Sequence, residues 1–253
     1  MLRTRIIPCL LLKNRGLVKT IKFKDPKYIG DPLNALKIFN EKEVDELIFL
    51  SIDSTLNDTE PPFDLIEDIA KECFMPFCYG GGIKSINQIK RILQLGVEKV
   101  AINSAAYTDP EFIREACSVF GSSTIVVSID VKKNIFGRYQ VYVKGGKENT
   151  KLDPLDYALR MEQLGVGELF VNSIDRDGTY SGYDLTLINK ISSAVGVPVI
   201  ACGGAGTLKD FVDASVYSGA SAVAAGSLFV FHGKHKAVLI TYPRYEELKE
   251  LGL

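Results

Sequence analysis

Glu46-Leu-Ile-Phe-Leu-Ser-Ile-Asp53 returns 122 residues later as Glu168-Leu-Phe-Val-Asn-Ser-Ile-Asp175. At the same offset, Pro76-Phe-Cys-Tyr-Gly-Gly-Gly82 is answered by Pro198-Val-Ile-Ala-Cys-Gly-Gly204. One residue further out of step, Gly96-Val-Glu-Lys-Val-Ala-Ile-Asn-Ser104 is answered by Gly219-Ala-Ser-Ala-Val-Ala-Ala-Gly-Ser227. Each member is a short apolar, β-branched run that ends in a glycine or a polar residue. Working outward, such runs predict strands over Arg5–Leu12, Glu46–Ser51, Pro76–Tyr79, Lys99–Ile102, Thr124–Asp130, Glu168–Ser173, Pro198–Cys202 and Ala222–Ala225. Amphipathic stretches lie between them: Pro32–Asn40, Phe63–Cys73, Ile86–Leu95, Asp109–Phe120, Asp153–Leu164, Leu185–Val195 and Leu208–Ser218. Continuous apolar strands separated by helices predict a parallel sheet covered on both sides. Eight such units predict a closed (β/α)8 barrel, the TIM-barrel architecture, made of two similar half-barrels.

The composition agrees with that size. The chain has 253 residues, 46% of them hydrophobic, and no linker composition divides it, so residues 1–253 read as a single barrel domain. Barrels of roughly 200–250 residues are routinely one domain. With 30 basic and 31 acidic side chains and a formal charge of −1, bulk electrostatics would hold neither nucleic acid nor a membrane surface. No apolar run approaches the ~18 residues of a spanning helix. The N-terminal MLRTRIIPCLLLKN has basic residues before an apolar stretch, but Lys13, Asn14 and Arg15 follow where a signal peptide needs a small-residue cleavage site. A buried first strand is expected there. The five cysteines (Cys9, Cys73, Cys78, Cys117, Cys202) cannot all pair and include no CxxC, which suits a reduced, cytoplasmic protein. His232 and His235 are the only histidines and have no matching ligands nearby in sequence, so neither metal nor cofactor is expected. Any proton transfer must then use Asp, Glu, Lys or Cys.

In a barrel of this kind the site lies at the C-terminal ends of the strands. Gly80-Gly81-Gly82 and Asn103-Ser104 follow strands 3 and 4; Gly203-Gly204 and Gly226-Ser227 follow strands 7 and 8. Glycine lets backbone N–H groups approach an anion, and a hydroxyl completes a phosphate cradle. Two cradles on opposite sides predict a small molecule with a phosphate at each end. Asp130 ends an apolar run and is the catalytic candidate; Asp53, Asp175 and Asp177 also lie at strand ends. The polar loop from Ser173 to Gly182, with Asp177 and Gly178, is long enough to bind or cover a ligand. Lys19 either supplies a cation to that ligand or lies on the surface of a hairpin. At the opposite end, Arg5, Glu46, Lys99 and Glu168 fall near strand starts, where inward charges are costly unless paired. They could close into a ring.

These segments carry a resemblance. Arg5-Ile-Ile-Pro-Cys-Leu, Leu17-Val-Lys19, Asp45-Glu-Leu, Gly80-Gly-Gly-Ile, Lys99-Val-Ala-Ile-Asn-Ser-Ala-Ala106, Asp130 and Ser173-Ile-Asp-Arg-Asp-Gly-Thr-Tyr-Ser-Gly-Tyr-Asp184 resemble the cyclase subunit of imidazole glycerol phosphate synthase over roughly residues 1–230. The resemblance implies a lyase that receives ammonia, through the barrel, from a glutaminase docked on the barrel bottom. It implies that Arg5, Glu46, Lys99 and Glu168 gate this conduit. It also implies that Lys19, Gly81, Gly82, Asn103, Ser104, Asp177, Gly178, Gly203, Gly204, Gly226 and Ser227 hold a bisphosphate substrate. The departures matter as much. The family pairs Asp130 with an aspartate ending strand 1, where this chain has Leu11; its strand 2 aspartate is Ser51, a strand 6 hydroxyl is Asn172, and Phe231–Pro243 diverges. That pattern resembles a paralogous branch found with surface-polysaccharide genes, in which ammonia goes to a third subunit, a sugar amidotransferase. An active cyclase of histidine biosynthesis is the alternative. The sister isomerase barrel needs no bottom gate and lacks the long strand 6 loop.

Overall fold

The computed structural model describes residues 3–253; Met1 and Leu2, the first two residues of the N-terminal stretch read above as strand, lie outside the described residues. Eight parallel strands form the wall: β1 (Arg5–Lys13), β2 (Leu47–Ser51), β3 (Phe77–Gly80), β4 (Lys99–Ile102), β5 (Ile125–Lys133), β6 (Glu168–Ser173), β7 (Val199–Cys202) and β8 (Ala222–Ala225). Each pairs with its sequence neighbours, and β8 returns to β1 with Arg5 opposite Ala222, which closes the barrel. Seven main helices cover it: α1 (Pro32–Glu41), α2 (Phe63–Glu72), α3 (Ile86–Gln94), α4 (Pro110–Phe120), α5 (Pro154–Gln163), α6 (Leu185–Ser192) and α7 (Leu208–Ser215). Among the described residues no helix is long and apolar enough to cross a membrane.

Local chemistry explains the shifts from the sequence reading. Asp31, Asp109 and Asp153 stand just outside α1, α4 and α5, each accepting from a first-turn N–H, with proline as the first helical residue. An aspartate cap followed by a proline whose missing N–H is harmless is a strong helix start, and the caps themselves are not helical. Pro76 and Pro198 stay outside β3 and β7, yet their carbonyls accept from Leu47 N (3.0 Å) and Leu169 N (2.9 Å). The two contacts are repeat equivalents. β5 runs on to Lys133, past its expected end at Asp130, because Asp130–Lys133 pair antiparallel with Tyr139–Tyr142. A second added hairpin, Gly16–Ile21 with Lys24–Gly30, leaves the top of β1.

Alternation along the strands sorts side chains into two cores. On β1, Ile6, Leu10 and Leu12 join the layer between strands and helices, while Ile7 and Cys9 point inward to meet Ile48, Cys78, Ala101, Val126, Phe170, Ile200 and Cys202. The interior is therefore packed, with polar groups only below and above this apolar middle. The divergent C-terminal segment returns beneath the wall: Tyr242 donates to Ile6 O at 3.0 Å, and Leu248 and Leu253 are buried.

Candidate functional site

The floor of the barrel holds a closed ring of four charges. Arg5 donates to both Glu46 and Glu168, and Lys99 bridges the same two carboxylates at 3.1 and 2.9 Å. Arg5 begins β1, Lys99 begins β4 and Glu168 begins β6, while Glu46 lies one residue before β2. The carboxylates are almost fully enclosed, whereas the cations reach the opening below. Burial pulls the Lys99 ammonium down, but the two carboxylates outweigh it and hold its pKa above the ordinary value; Arg5 behaves likewise. All four residues singled out in the sequence thus meet, fully paired.

The mouth is a cavity of about 390 Å³ lined by strand ends and the loops that follow. That lies within the usual range for small-ligand sites. Gly81, Gly82, Asn103 and Ser104 line one side; Gly178, Gly203, Gly204, Gly226 and Ser227 line the other. The repeat persists at contact level. A Cβ on Gly81 would sit 2.3 Å from Ser51 O, and one on Gly203 would sit 2.7 Å from Ser173 O, both at positive φ. Only glycine lets these two loops pass so close to the preceding strand ends.

Asp130 is buried between them. Burial, then the negative Asp177, raises its carboxyl to about 7, so it carries or releases a proton near neutrality. Asn103 Nδ2 donates to Asp130 Oδ2 at 3.2 Å and to Ser128 O at 2.9 Å. Asn103 therefore orients the acid as well as lining the cavity. On the opposite side of the barrel, Leu11 projects into the same cavity, beside Leu50, its register partner.

Two other aspartates named as proton-transfer candidates serve the backbone instead. Asp53 accepts from Asn14 N at 3.0 Å and Asp175 from Lys133 N at 2.8 Å, and neither lines the cavity. Asp177 lines it, but its Oδ2 accepts from Thr20 and Phe23 N, tying the long β6 loop to the first hairpin. Lys19 is not on the hairpin surface: it is 7% exposed, and its ammonium donates to Cys9 O at 2.8 Å. It also lies where a side chain on Gly226 would strike it, placing a positive charge beside that loop. His232 and His235 are exposed.

Sequence reading missed several lining residues. Thr20, Thr55 and Thr59 add hydroxyls, and Lys144 and Lys147 flank the turn at Gly145-Gly146. The Lys-Gly-Gly-Lys pattern was the available signal, since paired glycines between alternating runs mark a hairpin.

The chain matches the family described as "Histidine biosynthesis protein" over residues 5–236. It belongs to that family, among its HisF-like members. The HisF-like barrel is 56% identical to a Pseudomonas aeruginosa protein named as imidazole glycerol phosphate synthase subunit hisF2, over 98% of this chain and 99% of that one. It is 48% identical to a Vibrio vulnificus protein named as subunit hisF3, covering 99% and 96%. It is 42% identical to imidazole glycerol phosphate synthase subunit HisF of Alkaliphilus metalliredigens, covering 92% of each. The HisF-like family and the barrel expected from the sequence are thus both met.

Proposed function

We propose that this HisF-like barrel is an ammonia-conducting subunit that has set aside the cyclase step. The observation that carries the proposal is a complete ionic ring at the floor beneath a mouth whose second proton-transfer position is Leu11. Four ionised groups in a barrel interior are a poor way to add stability, since apolar replacements are often neutral or better. They suit a polar closure that can open. A glutaminase docks on the floor in this reading, and ammonia released there passes the ring and the apolar lumen.

The mouth keeps what a phosphate-bearing small molecule needs: the Gly81-Gly82 and Gly203-Gly204 loops, Ser104, Ser227 and the Lys19 charge. It lacks a paired acid and base. Ammonia therefore goes to an acceptor handled by a further subunit, a sugar amidotransferase of surface-polysaccharide (lipopolysaccharide) synthesis. Two relatives carry the numbered names hisF2 and hisF3, which fits a copy kept beside a histidine-pathway one. Five free cysteines fit a cytoplasmic setting.

The experiment is co-purification with each glutaminase encoded in the same genome, then glutamine turnover with and without a candidate sugar amidotransferase from that genome. Stable pairing, with ammonia captured only when the third subunit is present, supports the proposal. Cyclisation of the bisphosphate ribonucleotide at the rate of ordinary cyclases would overturn it.

A further inference from the structure

Two hairpins leave the tops of neighbouring strands and meet at the mouth. Gly16–Ile21 with Lys24–Gly30 follows β1, and Phe231–His232 with Ala237–Val238 follows β8. Lys27 lies over the Phe231 ring at 5.7 Å, which joins the two. Lys22 N donates to Asp177 O at 3.0 Å and Lys236 lies over the Tyr180 ring at 4.9 Å, so the long β6 loop is tied to both. Tyr180 in turn donates to Ser227 O at 3.3 Å. The result is one continuous sector of rim beside the Gly226-Ser227 loop.

The charge of this sector is lopsided. Residues 21–30 and 226–243 carry Lys22, Lys24, Lys27, Lys234 and Lys236 with both histidines, against the single acid Asp25, in a chain of net charge −1. These lysines are exposed, and among the described residues none is within ion-pair distance of a carboxylate. Lys27 and Lys236 are fixed by neutral rings, which hold an ammonium in place and leave its charge uncompensated. Elsewhere on the rim carboxylates are supplied: Lys84 pairs with Asp58 at 2.6 Å, Lys144 with Glu148 at 2.8 Å and Lys133 with Asp184 at 3.7 Å.

Exposed apolar groups stand among the lysines: Ile21, Tyr28, Val238 and Leu239. Aliphatic side chains offer nothing to the phosphates of a nucleic acid. Apolar anchors inside a charged surround are what a protein interface uses.

We infer that this two-hairpin rim is the docking face for the subunit that uses the ammonia, and that the partner meets it with an acidic protein surface. The partner's identity rests on the conduit reading above; the place rests on the charge and apolar pattern. Attraction between opposite faces speeds association by about 10–10³-fold and fades with salt. A partner seated here stands over the opening from which ammonia leaves.

The test uses the barrel in complex with its glutaminase, and a candidate sugar amidotransferase from the same genome. Association, followed by surface plasmon resonance, should slow steeply as sodium chloride rises. Lys22→Glu, Lys24→Glu, Lys27→Glu, Lys234→Glu and Lys236→Glu together should slow it about a hundredfold at low salt. Lys37→Glu with Lys90→Glu, exposed on α1 and α3, should leave the rate unchanged. Glutamine turnover by the glutaminase complex reports that each barrel is folded. Should the full set unfold, Lys22→Gln with Lys24→Gln, which removes no side-chain contact, should still slow association about fivefold. An unchanged rate in the folded rim variants, an equal loss in the α1 and α3 control, or tighter binding of a short single-stranded RNA than of the amidotransferase would overturn the inference and leave the conduit reading intact. Docking at this rim without capture of ammonia does the opposite. A parent barrel that binds no amidotransferase of its genome overturns both.

Discussion

Leu11 on β1 and Asp130 on β5 enter one cavity from strands on opposite sides of the barrel. Asp130 is an acid and base in waiting; Leu11 can transfer nothing. A positioned acid or base contributes typically ~10²–10⁴-fold to rate. The isolated chain is therefore expected to turn over bisphosphate ribonucleotide and ammonium at least about a hundredfold more slowly than ordinary cyclases. Leu11→Asp should raise that rate, with Ser51 limiting the recovery. A steady-state assay of both proteins, with ammonium as nitrogen source, decides it. Ordinary turnover by the unmodified chain is the contrary result.

Asp130 should also leave a mark on stability against pH. The groups around it are Asp177 from the β6 loop, Lys19 from the first hairpin, Cys9 on β1 and Cys202 on β7, with neutral Asn103, Ser128 and Asn172. Its carboxyl rises in the fold from 3.8 to about 7, so the folded state holds its proton more tightly than the unfolded chain. The contribution is complete below about pH 4 and is lost as pH climbs to about 7, a difference on the order of 4 kcal/mol. Asp130→Asn cannot ionise. Urea unfolding from pH 4.5 to 8 should show the variant gaining on the parent as pH rises, and parallel curves would contradict the argument.

The same residues show what sequence makes legible. Repeat spacing and apolar runs locate eight strands, whose starts locate the floor ring and whose ends locate both glycine loops. Contact-level roles stay hidden because they depend on partners far along the chain. Asp53, Asp175 and Asp130 look alike as aspartates ending strands. Two of them accept an N–H at or just past the end of a neighbouring strand, and only the third faces the cavity. Lys19 stays open in the sequence between a ligand cation and a hairpin surface residue, because its burial depends on the turn beyond β8, where Gly226 leaves room for its ammonium. β5 runs past its expected end because its extension pairs with the hairpin strand Tyr139–Val143, a partner that the apolar run ending at Asp130 does not signal.

The glycine loops yield a graded prediction. Gly121 has φ +87° and nothing within 4 Å of a would-be Cβ, so Gly121→Ala brings backbone strain alone, about 1–3 kcal/mol. Gly81 has φ +114° and a carbonyl oxygen 2.3 Å from that Cβ, so Gly81→Ala adds a backbone collision to the strain. Gly81→Ala should be the more destabilised by chemical denaturation. It should also lose binding of inorganic phosphate at its side of the mouth, which Gly121→Ala keeps. Equal phosphate binding by the two variants would count against the loop as an anion cradle.

The floor ring makes the sharpest prediction about the conduit. Glu46 and Glu168 are enclosed, and each leans on both Arg5 and Lys99. Removing either cation leaves two buried carboxylates sharing one partner, and breaking such pairs typically costs about 3–5 kcal/mol. The two removals should differ in function. Arg5 holds both acids through a planar, multiply bonded guanidinium, while Lys99 reaches them on a flexible stem. Lys99 is the member suited to swing, so Lys99→Met should fix the ring half open. Lys99→Arg keeps the charge but stiffens the link. In complex with the glutaminase, glutamate formed and ammonia captured by the downstream acceptor should run near parity in the parent. Lys99→Met should let glutamate outrun capture by several-fold, while Lys99→Arg should slow both together. Thermal unfolding of each variant shows whether the barrel persists. If both variants are folded and the ratio of glutamate to captured ammonia stays at the parent value, the ring only fixes barrel geometry.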